Sequence, residues 1–147
     1  MSLGGAWSID KAQREPGISW WNTETITDED VKRAIGRGKI DVLFSHDTVS
    51  FIQVPGIIPL EEGERNRYQV DKVVKACLPS LVVHGHYHIN YTRHDGFPIG
   101  ADTNGLVYHE IQVMGLGCDN HKPNPWESFS VLDTEKFASK EHRMSLN

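Results

Sequence analysis

The sequence predicts an α/β protein with a mixed sheet, and three observations carry that expectation. Two apolar runs, at residues 40–44 and 81–83, flank a segment whose apolar residues recur at helical spacing. Beyond them the period shortens towards alternation, punctuated by two hairpin-turn signals, Asp95-Gly96 and Asn104-Gly105. With 147 residues, 38% of them apolar, the chain is long enough for one real core and too short for two. A single domain over residues 1–147 is therefore expected.

The elements follow in order. Residues 11–27 have no clean period; Pro16-Gly17 marks a turn and Trp20-Trp21 falls within the irregular stretch. Thr27 opens a helix as its N-cap, with Asp28, Glu29 and Asp30 in the first turn, where the helix dipole favours carboxylates. Val31, Ala34 and Ile35 supply its buried stripe, and Gly36 or Gly38 ends it. The strand at 40–44 leads into a long loop with Pro55-Gly56 and Pro59. A second helix is predicted over 64–77, with Val70, Val73, Val74 and Cys77 at i, i+3, i+4 and i+7. Leu78-Pro79 stops it, and the strand at 81–83 begins. Strand, helix, strand implies a parallel pair with a right-handed crossover. Strands at 87–93, 97–102, 106–116 and 128–132 then form an antiparallel meander.

Composition excludes some functions. A net charge of −5, with scattered acidity, gives no electrostatic footprint for nucleic acid or an anionic membrane. No apolar run reaches spanning length and the first residues lack signal-peptide features, so a cytoplasmic protein with no membrane contact is expected. Cys77 and Cys118 form no C-x-x-C and are expected as reduced thiols. There is no Walker loop, dinucleotide turn or nucleophile elbow.

The chemistry concentrates at the strand ends. Leu81-Val82-Val83-His84-Gly85-His86-Tyr87-His88 places Gly-His-x-His after one strand, and Ser45-His46-Asp47 closes the other. Parallel pairing brings these carboxyl ends to one sheet edge, where α/β sheets bind ligands. Imidazole suits Zn, Fe, Ni or Mn and titrates near neutrality. His46, His86 and His88 are therefore candidate metal ligands. Gly85 is expected to bend the backbone so that His86 and His88 diverge towards two adjacent ions instead of sharing one strand face. His84, last in its strand, reads as a packed or supporting histidine, and Asp47 as a group that orients a ligand or caps the loop. Arg14 can bind phosphate bidentately, although a surface arginine is the more ordinary reading. Trp20, with Trp21, can wall a substrate cleft or build core or interface. Arg65, Arg67 and Arg93 read as solvated, and Cys118-Asp119-Asn120-His121 as a turn before Pro123 and Pro125.

In this order and spacing, Ser45-His46-Asp47 and Val83-His84-Gly85-His86-Tyr87-His88 resemble the last two motifs of the calcineurin-like metallophosphoesterases. Gly4-Gly5-Ala6-Trp7-Ser8-Ile9-Asp10, Arg14, Pro16-Gly17 and Trp20-Trp21 are similar to the mid-chain stretch of bacterial and phage members, and the resemblance runs from about residue 4 to about residue 133. It implies the C-terminal half of a four-layer α/β/β/α metallophosphoesterase sandwich. It also implies hydrolysis of phosphate mono- or diesters by a metal-bound hydroxide at a dinuclear centre of Mn, Fe or Zn. On that resemblance His46 and His86 ligate one ion and His88 the other, with two ions per complete site. The family's D-x-H, G-D-x-x-D and G-N-H-D/E motifs, which supply the bridging Asp, the Asn ligand and the catalytic His, lie upstream of the Gly-Gly-Ala strand. No catalytic acid is thus assigned here. The expected partners are a phosphorylated substrate and either a complementing N-terminal half or a second copy through self-association. The alternatives are one half of a split enzyme or a catalytically inactive protein-binding module.

Overall fold

In the computed structural model, which describes residues 1–118, helix α1 (Asp28–Ile35) starts at a reciprocal capping box. Thr27 Oγ1 accepts from the Asp30 amide at 3.2 Å, and the Asp30 carboxylate accepts from the Thr27 amide at 3.0 Å. Helix α2 (Glu61–Cys77) begins one turn before the expected start, with Glu61, Glu62 and Glu64 at its positive end. It ends as predicted before Pro79, through Leu78 in the left-handed conformation, φ 51°. Val70, Val73, Val74 and Cys77 are fully buried, as their spacing predicts. Val31 and Ala34 of α1 are buried too, but Ile35 is 38% exposed and lies outside the stripe assigned to it.

The five strands are β1 (Ser2–Leu3), β2 (Val42–Ser45), β3 (Leu81–His84), β4 (Tyr91–Asp102) and β5 (Gly105–Gly115). They form one mixed sheet in the order β1-β2-β3-β5-β4, so the fold is α/β. The expected parallel pair is β2 and β3, joined through α2. β1 and β5 extend it, so that β1, β2, β3 and β5 all run the same way. Leu43, Val82 and Val113 stand in register across the sheet and join the residues of both helices in one hydrophobic core. Each such side chain taken from water contributes about 1.5–3 kcal/mol. Phe44, Val83 and Met114, one residue further along each strand, point to the opposite face.

The predicted meander is replaced by one long hairpin. Asp95-Gly96 is not a turn: both residues continue β4, opposite Ile111 and Glu110. Phe97 explains the continuation. It is buried in the core, with its ring 5.7 Å from Phe51 and 5.4 Å from His109, so the strand is held down past the turn signal. Reversal comes at the second signal, where Gly105 has φ 125°. β5 then returns beside β3 instead of outside β4. The strand expected at 128–132 and the turn expected from Cys118 to Pro125 lie outside the described residues, apart from Cys118 itself. Among the described residues, no helix is long and apolar enough to cross a membrane.

Candidate functional site

Four parallel strands deliver their carboxyl ends to one edge, and three of those exits build a cavity of about 600 Å³. Its wall includes Gly5, Ala6 and Asp10 after β1, His46 after β2, and His86 and His88 after β3, together with Arg14 and Glu24. Gly5 makes the first exit feasible. Its φ is 105°, and a Cβ there would sit 2.9 Å from Ile26 Cγ1 and 3.0 Å from the Glu24 carbonyl. The Ala6 amide donates to that same carbonyl at 2.9 Å, which lays the 24–26 segment along the rim.

The three candidate imidazoles are brought to this cavity. His46 and His86 stand with ring centroids 5.2 Å apart, tilted by 57°. His88 lines the same space. The bend that separates His86 from His88 is not made by Gly85, as expected, because positive φ falls on the histidines themselves, at 67° and 58°. Such a conformation is uncommon outside glycine, and His is among the side chains that tolerate it best. Gly85 contributes proximity instead: a Cβ there would meet His46 Nδ1 at 3.9 Å, ordinary contact.

Beneath the rings lies a polar hub centred on Asp47, which was expected only to orient a ligand or cap the loop; its partners Asn66 and Tyr87 were not expected. Asp47 is 1% exposed and accepts from the Thr48 amide at 2.8 Å, Asn66 Nδ2 at 2.7 Å and Tyr87 Oη at 2.8 Å. A buried carboxylate needs such donors to offset its desolvation. Asn66 also accepts from the Ile26 amide at 2.8 Å. The hub therefore ties β2's exit, the His86–His88 loop and the 24–26 rim to α2. Arg67, expected as solvated, is 2% exposed and corrects that expectation. Its guanidinium donates to the carbonyls of Val49 and Ile52, closing the loop after His46, and pairs with Glu64 at 2.7 Å. Asn66 and Arg67 interrupt the face of α2 that carries Val70 and Val74, and a polar pair on an apolar stripe was the available sequence signal.

His84 is held apart from the cavity. It is buried, its Nδ1 lies 2.9 Å from the Gly85 carbonyl and its Nε2 2.6 Å from Tyr91 Oη. The carbonyl can only accept, so Nδ1 carries the proton and Nε2 accepts from the tyrosine. Burial lowers its pKa from the ordinary 6.5 to about 4. His86 is also lowered, first by burial and further by His46 and His88, against the pull of Asp47. The Tyr87 hydroxyl is raised well above its ordinary range, by burial and then by the Asp47 charge that it faces.

The two candidate substrate contacts separate. Arg14 lines the imidazole cavity, its guanidinium held by Asp10 at 2.8 Å and the Ser19 carbonyl at 3.2 Å. Trp20 lines an adjoining cavity of about 140 Å³ instead. Arg65 and Arg93 are exposed, as expected.

A metal fits this arrangement in part. His46 and His86 supply imidazole nitrogen donors on one cavity wall. Yet among the described residues no group of three or more His, Cys, Asp or Glu side chains converges to hold an ion. Asp47, the nearest carboxylate in sequence, is committed to the hub. These residues can offer nitrogen ligands to a shared site but do not by themselves build a dinuclear one. No family model matches the sequence, and comparison with curated proteins finds no significant match.

Proposed function

We propose that this chain is the C-terminal half of a calcineurin-like metallophosphoesterase sandwich and hydrolyses phosphate mono- or diesters once its metal site is completed. The observation that carries this reading is one cavity at the carboxyl edge of the parallel strands, walled by His46, His86, His88 and Arg14. Imidazoles on two strand exits, with His86 and His88 in left-handed backbone held by a buried hub, form a prepared surface. Divalent ions there, Mn, Fe or Zn, would acidify an attacking water and neutralise phosphoryl charge.

The chain's own residues have separate tasks. His46 and His86 would hold one ion, and His88 would face a second. Arg14, oriented by Asp10, would draw the phosphate into the cavity. Asp47 and Tyr87 keep the imidazole loop in place, so that little ordering is left for ligand binding to supply. Bridging carboxylates would come from a complementing segment or a second chain, and the partly open face of the sheet, where Phe44 is exposed, would form the inner surface of the four-layer sandwich.

The test is metal content by elemental analysis, combined with turnover of p-nitrophenyl and bis-p-nitrophenyl phosphate in Mn²⁺. Turnover by the chain with a complementing partner, abolished by His86→Asn, is the expected result. Bound metal without turnover under any mixture would replace hydrolysis with a phosphoesterase-like binding module.

A further inference from the structure

Three of the chain's four tryptophans, Trp7, Trp20 and Trp21, line the small cavity beside the imidazoles, and none belongs to the hydrophobic core. Indoles are the largest apolar side chains a core can use, so three gathered at a surface opening is an unusual placement. Trp21 is 49% exposed. Lys11 Nζ sits 4.3 Å from the Trp20 ring centroid, a cation–π contact that steadies that ring.

The two cavities share a wall. Ala6, Ser8 and Glu24 line both. Glu24 accepts from Ser8 Oγ at 2.8 Å and from the Trp21 amide at 3.2 Å, which fixes the indole segment against the rim of the imidazole cavity. One end of the joined space presents a guanidinium and imidazoles, suited to a phosphate. The other presents aromatic surface, suited to a flat ring that can stack.

We propose that the two cavities are one bipartite site, and that its substrate class is the nucleotide: the phosphate lies by Arg14 and the imidazoles, and the base stacks among the indoles. The phosphate half rests on the function proposed above; the ring half rests on the tryptophans alone. Stacking of a single base on an aromatic side chain is worth roughly tenfold in affinity. Sugar phosphates and phosphoserine, which carry no flat ring, lack that increment.

The test uses protein without added metal. Adenosine 5′-monophosphate, ribose 5-phosphate and adenosine are titrated against it, read by indole N–H resonances and tryptophan fluorescence. The expected result is tighter binding of the monophosphate than of ribose 5-phosphate by about tenfold, with the indole resonances shifting. Trp21→Leu should abolish that ratio and Trp21→Tyr should keep most of it; Trp21 is exposed enough for the fold to persist in both variants. Equal affinity for the two phosphates, or a ratio unchanged in Trp21→Leu, overturns the ring half. Adenosine binding as tightly as the monophosphate overturns the bipartite site by removing its phosphate end. Hydrolysis of an ester without an aromatic group by the wild-type protein, with Mn²⁺ and its complementing partner, would leave the phosphoesterase reading standing when the nucleotide reading has failed.

Discussion

His86 and His88 carry backbone conformations that most L-residues avoid, and the residue scale shows what holds them there. Tyr87 lies between them, its hydroxyl bonded to Asp47 and its ring packed edge-on against His86 at 4.7 Å. The loop is thus pinned at its middle while the two flanking imidazoles are left facing the cavity. Strain of this kind costs about 1–3 kcal/mol per residue when the side chain tolerates it poorly. His86→Val should therefore destabilise the fold by about that amount, whereas His86→Asn should not, because Asn accepts positive φ. Gly85→Ala should be nearly neutral, since its Cβ meets nothing closer than 3.9 Å. Urea denaturation of the three variants checks this ordering. A severe loss in Gly85→Ala would return the bend to the glycine.

A pH dependence belongs to the same scale. His84 is neutral when folded, with its pKa lowered to about 4, and takes a proton more readily when unfolded, near 6.5. The unfolded chain binds more protons between those values, so stability rises with pH across that window. The contribution is complete above about pH 6.5 and disappears as the pH falls to about 4; its size is about 3 kcal/mol. His84→Gln keeps an acceptor for Tyr91 and removes the titration. Its stability should be flatter than wild type between pH 4 and 6.5, as measured by denaturant unfolding of metal-free protein.

At the scale of elements, the hairpin supports the site through one close approach. Gly115 pairs with Tyr91 across β4 and β5, and a Cβ on it would clash with Cε1 and Cδ1 of the Tyr91 ring and fall 2.8 Å from the Ile89 carbonyl. Gly115→Ala must push Tyr91 aside, and with it the 2.6 Å hydrogen bond to His84. Overpacking of this kind costs about 1–3 kcal/mol. The expected result is a lowered urea midpoint with an unchanged slope, accompanied by a shift of the His84 ring resonances. The same element marks where sequence reasoning stopped. The β2–α2–β3 unit was legible because its signals are local: two apolar runs for the strands, a four-residue apolar stripe in α2 and a stop at Leu78-Pro79. Parallel pairing then forced His46 towards the His86–His88 loop. The insertion of β5 between β3 and β4 was not legible, because strand order is a choice among distant partners. Asp95-Gly96 misled because Phe97, two residues on from Asp95, gains more by entering the core than the chain gains by turning. The Asp47 hub escaped for a similar reason, since Asn66 and Tyr87 meet Asp47 only through the fold.

For the whole molecule, the sheet has one covered face and one partly open one, and this asymmetry sets how copies should meet. The helices bury Leu43, Val82 and Val113, whereas Phe44, on the other face, is 47% exposed. The sheet edges are poor docking sites. β1 offers two residues, and β4 carries Arg93, His94 and Asp95 as well as Pro98, which cannot donate to a new ladder. An apolar aromatic projecting from an open face favours association through that face instead. Wild-type protein should therefore self-associate in sedimentation velocity as its concentration rises, and Phe44→Lys should shift it towards monomer while its far-UV circular dichroism is unchanged. If association survives Phe44→Lys but disappears when the exposed hairpin residues Leu106 and Tyr108 are made polar, the contact lies at the ribbon tip and not on the sheet. A wild-type chain that remains monomeric into the millimolar range would mean that Phe44 is exposed without driving contact between copies, and that the face proposed as the inner surface of the sandwich has little affinity for a second apolar layer.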